Sequence, residues 1–226
     1  MGVREKPHDR YLSPEQAKRF YDLLGVRQDW QRFYENAALQ ELIAHAGFDS
    51  ARSVFEFGCG TGAFAARLLQ QHLPADARYT GLDVSSTMVS LARKRLQPWP
   101  ERAHVHQSDG SFRIHQPDRS FDRFVSNYVF DLLAPGFAEQ LLLEARRILM
   151  PGGKLCLVSL THGASWISRA VSCCWQSLWR LSPAIVGGCH PIELRDHLSS
   201  KEWNVEHQAR LIRWGLPSEV LVASSR

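Results

Sequence analysis

Glycine recurs at alternate positions in Glu56-Phe57-Gly58-Cys59-Gly60-Thr61-Gly62, directly after the apolar run Val54 to Phe57 and before the helix-like stretch Thr61 to His72. No other feature limits the possible folds of this chain so strongly. Glycine lets the backbone turn sharply and lets another group approach without a Cβ in the way. Amide groups at the start of a helix lack intrahelical partners and attract anionic groups. A glycine bend between a strand and a helix is the binding turn of a doubly wound α/β sheet.

The rest of the chain fits that setting. Apolar runs alternate with helix-like stretches from about Arg52 to Leu160, the pattern of a parallel sheet covered on both faces. The reading along the chain starts with a helix over Asn36 to His45, closed by Gly47. A strand over Val54 to Phe57 and a helix over Thr61 to His72 come next. Tyr79 to Asp83 is a strand and Ser86 to Leu96 a helix stopped by Pro98. Strands over Ala103 to Gln107 and Phe121 to Ser126 precede a helix over Phe137 to Leu149 and a turn at Pro151-Gly152-Gly153. Lys154 to Leu160 is a strand and Pro191 to Ser199 a helix. Two last strands, near Asn204 to Leu211 and Ser218 to Val222, meet at Gly215-Leu216-Pro217.

Two acids stand where such a sheet presents its site. Asp83 ends the second strand, about 20 residues after the loop, where a carboxylate can accept bonds from both hydroxyls of a ribose. Asp109, in Ser108-Asp109-Gly110, follows the third strand and faces the crevice at the strands' carboxyl ends. Taken alone, the loop and Asp83 leave a nicotinamide-dependent oxidoreductase open, because Gly58, Gly60 and Ala63 also satisfy G-x-G-x-x-A.

The full set of segments resembles the class I S-adenosylmethionine-dependent methyltransferases, and within them the small-molecule branch similar to ubiquinone/menaquinone-biosynthesis enzymes. The matching segments are E-F-G-C-G-T-G, G-L-D-V-S with M-V-S-L-A, S-D-G, S-F-D-R-F-V-S-N and L-M-P-G-G-K-L, in order over roughly residues 50 to 160. The resemblance implies an α/β, Rossmann-like, seven-stranded and mostly parallel sheet with an antiparallel last strand and helices on both faces. It implies S-adenosyl-L-methionine as cofactor and methyl transfer to oxygen, nitrogen, carbon or sulfur of a small, partly apolar or aromatic acceptor. A non-catalytic binding module of the same fold is the alternative.

Carried onto this chain, the resemblance places Glu56, Gly58, Cys59, Gly60 and Gly62 beside the methionine part of the cofactor. Asp83 would hold the ribose, with Val84 and Met88 near it, and Asp109 would meet the adenine amino group with Gly110 supplying backbone. Asn127 and Tyr128 would lie near the sulfonium and the acceptor. The segment Ser108 to Gln116 departs from the branch's D-A-x-x-L-P-F pattern, which touches the adenine contacts. The stretch with Phe20-Tyr21-Asp22 and Phe33-Tyr34-Glu35 resembles the branch's leader, so residues 1–50 are expected to form a helical lid and Tyr21 to touch the cofactor. Residues 51–226 would be the methyltransferase domain, with a helical insert at about 163–190.

Displacement at a sulfonium methyl needs alignment above all. A base is needed only if the acceptor must lose a proton. His162 and Tyr128 are the catalytic candidates, with Asp131 and His190 also facing the crevice. No metal is expected. His104 and His106 would point away from Val105 on a strand, and His115 lies beyond its exit.

Composition narrows the partners. Net charge is +4, and the densest basic cluster, Arg93-Lys94-Arg95, reads as a solvated helix end, so nucleic acid is not expected. The five cysteines lack zinc or disulfide spacing and the start lacks an apolar signal, which together suggest the cytoplasm. The insert gathers Ile167, Ala170, Val171, Cys174, Leu178 and Leu181 on one helical face, with Trp179 beyond the margin on the polar side. It reads as a docked surface helix, a cap over the acceptor pocket, or a shallow membrane contact. The loop Val186 to Pro191 would shape the pocket mouth. Sequence does not fix the oligomeric state.

Overall fold

A computed structural model describes residues 11, 13–25, 32–163, 173, 176, 177, 179, 181, 188–213 and 215–226. The strands are β1 (Ser53–Phe57), β2 (Arg78–Asp83), β3 (Ala103–Gln107), β4 (Phe121–Asn127), β5 (Leu149–Leu160), β6 (Trp203–Arg213) and β7 (Leu216–Ser225). The helices are α1 (Pro14–Leu24), α2 (Arg32–Ala46), α3 (Ala63–Gln71), α4 (Ser86–Arg95) and α5 (Pro135–Ile148). One sheet runs in the order β3-β2-β1-β4-β5-β7-β6. The first five strands pair in parallel, and β7 runs antiparallel between β5 and β6. The Rossmann-like sheet implied by the sequence is therefore present, with its last strand reversed.

Alternation along the strands divides the core in two. Val54, Val125, Cys156, Val158, Val220 and Val222 point to the face covered by α2, α3 and α4. Phe55, Phe124, Leu155, Leu157, Leu221 and Ala223 point to the face covered by α5. The helices answer with matching apolar stripes, Leu39 and Leu42 on α2, Leu68 on α3, and Leu141, Ala145 and Ile148 on α5. Both faces are covered by apolar side chains, so the central strands read as near-continuous apolar runs.

The two leading helices differ in character. α2 places Ala38, Leu39, Leu42 and Ala46 in the core. α1 buries no residue. It is capped by Ser13, whose hydroxyl accepts from the Gln16 amide while Gln16 bonds back to the Ser13 amide. The stretch expected as a single lid thus contains one core helix and one surface helix.

Several local expectations are corrected. Pro191 to Ser199 forms only a short 3-10 turn at Leu194–His197, held by the Glu219 carboxylate accepting the Leu194 amide at 2.7 Å. The Pro151-Gly152-Gly153 segment is drawn into β5 as an irregularity, with pairing shifted between Phe121 and Arg123. Arg93 and Arg95 are not simply solvated. Arg93 donates to the Val105 carbonyl and Arg95 to the Thr61 carbonyl and hydroxyl. Of the insert, Trp179 is buried, its indole N–H donating to the Gly188 carbonyl, whereas Leu181 is exposed. The reason is that Tyr11 and His190 pack on the Trp179 ring from elements distant in sequence, which no helical wheel includes. Ile167, Ala170, Val171, Cys174 and Leu178 lie outside the described residues. No described helix is long and apolar enough to cross a membrane.

Gly47 ends α2 in the left-handed conformation, as expected of a C′ glycine. The carbonyls left unpaired at the helix end then meet Arg123 of β4, a buried guanidinium that donates to Ala46 O at 2.7 Å and Gly47 O at 2.6 Å, and also to Asp122 O. The positive charge sits at the negative end of the helix dipole. Arg123→Met should lower the unfolding free energy by about 2–4 kcal/mol, because buried carbonyls lose their donor. Urea denaturation measures this, and a loss well below that range would mean water replaces the guanidinium.

Candidate functional site

The glycine bend is built as the sequence suggested, and each glycine has its own reason. Gly58, Gly60 and Gly62 adopt φ of 76°, 51° and 72°, a region that side chains disfavour. A Cβ on Gly58 would meet Val129 Cγ2 at 2.4 Å, and one on Gly62 would meet Ala92 Cα at 3.0 Å. Gly58 therefore admits the chain after β4, and Gly62 lets α3 lie close against α4. The bend is tied to β2 by the Gly58 and Cys59 amides donating to Leu82 O.

Asp83 completes the tie. One carboxylate oxygen accepts the Gly60 amide at 2.8 Å and the other accepts the Ser85 amide at 2.9 Å. Each oxygen has a second lone pair. Burial raises this carboxyl to about pH 6 against the pull of those amides. Glu56 lies deeper, at 2% exposure. It accepts from the Tyr79 hydroxyl at 2.6 Å and from Asn127 Nδ2 at 3.2 Å. Burial pushes it to about 8, only partly offset by these two donors. The Asn127 carbonyl oxygen is buried with no hydrogen-bond partner.

These groups line one cavity of about 210 Å³, several times the ~30 Å³ share of a water. It lies at the carboxyl ends of β1, β2 and β4, where the strand order reverses. Among the expected residues, Tyr21, Glu56, Gly58, Cys59, Gly60 and Asp83 line it, as do Val84, Met88, Gly110, Asn127 and Tyr128. Gly62 does not, and acts through packing. α1 closes one side with Pro14, Ala17 and Tyr21. It is fastened by Asp22, which accepts from the Ser85 hydroxyl at 2.5 Å and the Thr87 amide at 3.1 Å at the start of α4. Lys18 and these donors hold the Asp22 carboxyl below its usual range despite the cost of burial.

Other sequence expectations fall outside the cavity. Asp109 is exposed, does not line it, and spends its carboxylate on the Ser111 amide in a turn. Ser108, Gly110 and Ser111 line that end instead. His162 is exposed and absent from the lining. Tyr128 lines the cavity, but its hydroxyl is shared with Ser218 Oγ at 2.9 Å and burial raises its pKa far above the usual value. It stays a neutral phenol at neutral pH, able to donate a hydrogen bond. Its backbone is also left-handed, at φ 56°, a strained state that persists where surrounding structure enforces it.

Asp131 is wholly buried, which raises it to about 7. Burial lowers His190 to about 4, and its ring packs against both Trp179 and Tyr11. Neither lines the cavity. Cys189 does, as the Val186 to Pro191 reading anticipated, and burial keeps its thiol protonated. The lining missed from sequence is an apolar rim. Phe112 stacks on Phe137 at 4.7 Å, beside Val129, Leu132 and Leu133. These come from separate segments, with Phe137 in the first turn of α5 and the others before it, and no single periodicity signals their shared wall.

Residues 54–153 match the family model described as a methyltransferase domain. The chain is 33% identical over 159 residues to a demethylmenaquinone methyltransferase of Deinococcus radiodurans, covering 67% of this chain and 60% of that one. It is 31% identical over 147 residues to a malonyl-[acyl-carrier protein] O-methyltransferase of Erwinia pyrifoliae, covering 64% and 50%. The chain thus spans between half and two thirds of these relatives' lengths. A solved structure of a methyltransferase bound to the Trm112 activator of Haloferax volcanii superposes with TM-score 0.68, 18% identity and coverage of 91% and 97%.

Glu56, Asp83 and Asp131 all bind protons more tightly folded than unfolded. Their contribution to stability therefore falls as pH rises from about 4 to about 8, while the lowered His190 offsets part of that fall below about 6.5, so the net decline belongs to the range above it, where Glu56 titrates. Unfolding midpoints in urea across that range should show the decline, and Glu56→Gln should flatten its upper half. A midpoint that climbs steadily from pH 5 to 8 would contradict the buried-acid arrangement.

Proposed function

We propose that this chain, a class I S-adenosylmethionine-dependent methyltransferase by its domain and fold, transfers a methyl group to a small, partly apolar acceptor. One observation carries the reading. The glycine bend, Asp83, Glu56 and Asn127 converge from three strand ends on a single cavity. Its residues suit the cofactor. Asp83 offers one lone pair per oxygen, the right number for two neighbouring ribose hydroxyls. Asn127 Oδ1, buried without a donor, and Glu56 offer acceptors for an ammonium group. When bound, the sulfonium supplies an electrophilic methyl carbon and departs as a neutral thioether.

The chain's own contribution is alignment, worth on the order of 7–11 kcal/mol when two reactants are held in line. Gly58 lets Val129 pack against the bend, and both line the cavity beside Asn127 and Tyr128. Phe112, Phe137, Leu132 and Leu133 would exclude water from the acceptor and hold an apolar or aromatic body. Tyr128 would donate a hydrogen bond to the acceptor or the departing group. We read α1 as the lid, because it covers the cavity without burying a core residue and is fastened by Asp22. His162 stays the outlying candidate for a base, its exposed position favouring acceptors that need none. The two curated relatives are named for a quinone precursor and an acyl-carrier substrate, both of which fit a small acceptor with apolar character. We place the protein in the cytoplasm, where buried thiols such as Cys59 and Cys156 remain reduced.

Calorimetric titration with S-adenosylmethionine, followed by a screen of quinols, phenols, acyl thioesters and amines for methyl uptake, tests the proposal. Asp83→Ala should weaken cofactor binding by roughly 1.5–3 kcal/mol, the scale of bonds to a charged acceptor. Equal affinity in that variant, or binding of NAD in preference to the methyl donor, would defeat the assignment.

A further inference from the structure

A second group of ligating side chains stands on the sheet face covered by α2. Glu41 and His45 are four residues apart on α2 and so share one side of the helix. His207 comes from β6, far away in sequence. Its presence there depends on a β-bulge, since the pairing of β6 with β7 shifts between Val205 and His207. Val205 packs into the core on the α5 side, whereas Leu211 packs on the α2 side. Regular alternation would keep residues 205, 207, 209 and 211 on one face. One extra residue, Glu206, reverses the parity and turns His207 toward α2.

The three side chains meet closely. Glu41 Oε1 lies 2.9 Å from His207 Nε2 and 3.5 Å from His45 Nδ1. One ligand atom from each lies within 4.8 Å of the other two. A tetrahedral ion with bonds of roughly 2.0–2.2 Å has its ligand atoms about 3.3 Å apart. The carboxylate-to-imidazole distances bracket that value. All three side chains are partly exposed, at 30%, 40% and 22% for Glu41, His45 and His207, so an ion can reach them and a water can complete its shell.

We propose that Glu41, His45 and His207 form a binding site for a zinc-like divalent transition metal. Two imidazoles and one carboxylate favour zinc, copper or nickel over magnesium or calcium, which prefer all-oxygen sites. The imidazole rings now lie face to face, with centroids 3.5 Å apart and planes 4° apart. One ion cannot lie in both ring planes, so seating it requires a turn of the His45 ring, the most exposed of the three. A metal there would clip α2 to β6, the edge strand of the sheet, and would stabilise the fold by binding the native state alone. The site is separate from the methyl-donor cavity, and none of its three residues lines that cavity.

The test is titration of the chelator-treated full chain with zinc chloride at neutral pH, read by calorimetry and by the thermal unfolding midpoint. The expected result is one equivalent bound with a raised midpoint. His45→Gln and His207→Gln should each weaken that binding about tenfold or more and abolish the rise in midpoint. As a check needing no variant, cobalt(II) should shift the imidazole resonances of His45 and His207 before those of any other histidine. Absence of saturable zinc binding, undiminished binding in both variants, or cobalt shifts led by His104, His106 or His115 would overturn the proposal.

Discussion

The hydrogen bond from the Gly60 amide to Asp83 joins two strand ends that would otherwise drift apart. β1 and β2 lie parallel, paired from Ser53↔Arg78 to Phe57↔Leu82. Just beyond those pairs the Gly58 and Cys59 amides still donate to Leu82 O, and a side chain carries the connection further. Asp83 does so with both oxygens, holding the glycine bend on one side and the start of α4 on the other. The cavity floor, the helix start and the acceptors exposed to a ligand all depend on that one carboxylate. Its buried position is costly for an ion, which raises its pKa, and the two amides are what keep it useful as an acceptor.

A second layer of buried polarity supports the first. Glu56 sits under the bend with Tyr79 and Asn127 as its donors. Tyr79 belongs to β2 and Asn127 to β4, so the strands flanking β1 each contribute one donor. The network is stiff because a shift of any strand would leave a buried carboxyl unsatisfied. This is a physical reason for the cavity to be preformed before any ligand arrives. α1, by contrast, rests on the cavity without a buried residue of its own and is held there by the Asp22 clasp.

Much of the fold was legible because it rests on short-range chemistry. Glycines 58, 60 and 62 announced a bend, and Gly47 a helix end. Unbroken apolar runs announced strands buried on both faces. Misreadings arose where long-range packing outweighed local pattern. Pro191 to Ser199 had helical spacing, but Glu219 of β7 accepts the Leu194 amide and only a 3-10 turn forms. Trp179 sat outside the apolar stripe, but Tyr11 and His190 bury it. Asp109 was placed by motif position alone, and a local turn with Ser111 uses its carboxylate.

Sequence alone determined the bend, the strand runs and Asp83, which follow from glycine sterics and periodicity, and the family resemblance carried by its motifs marked Glu56, Asn127 and Tyr128. Tertiary structure decided the rest. It assembled the apolar rim from Phe112, Phe137 and Cys189, and it withdrew His162 from the cavity. It also brought His207 to Glu41 and His45, with 161 residues between His45 and His207, through a bulge that adds one residue and leaves no mark in composition. The physical reason is common to all of these. Hydrogen bonding and backbone sterics act over a few residues and can be read along the chain, whereas side-chain proximity between distant segments exists only once the sheet has closed.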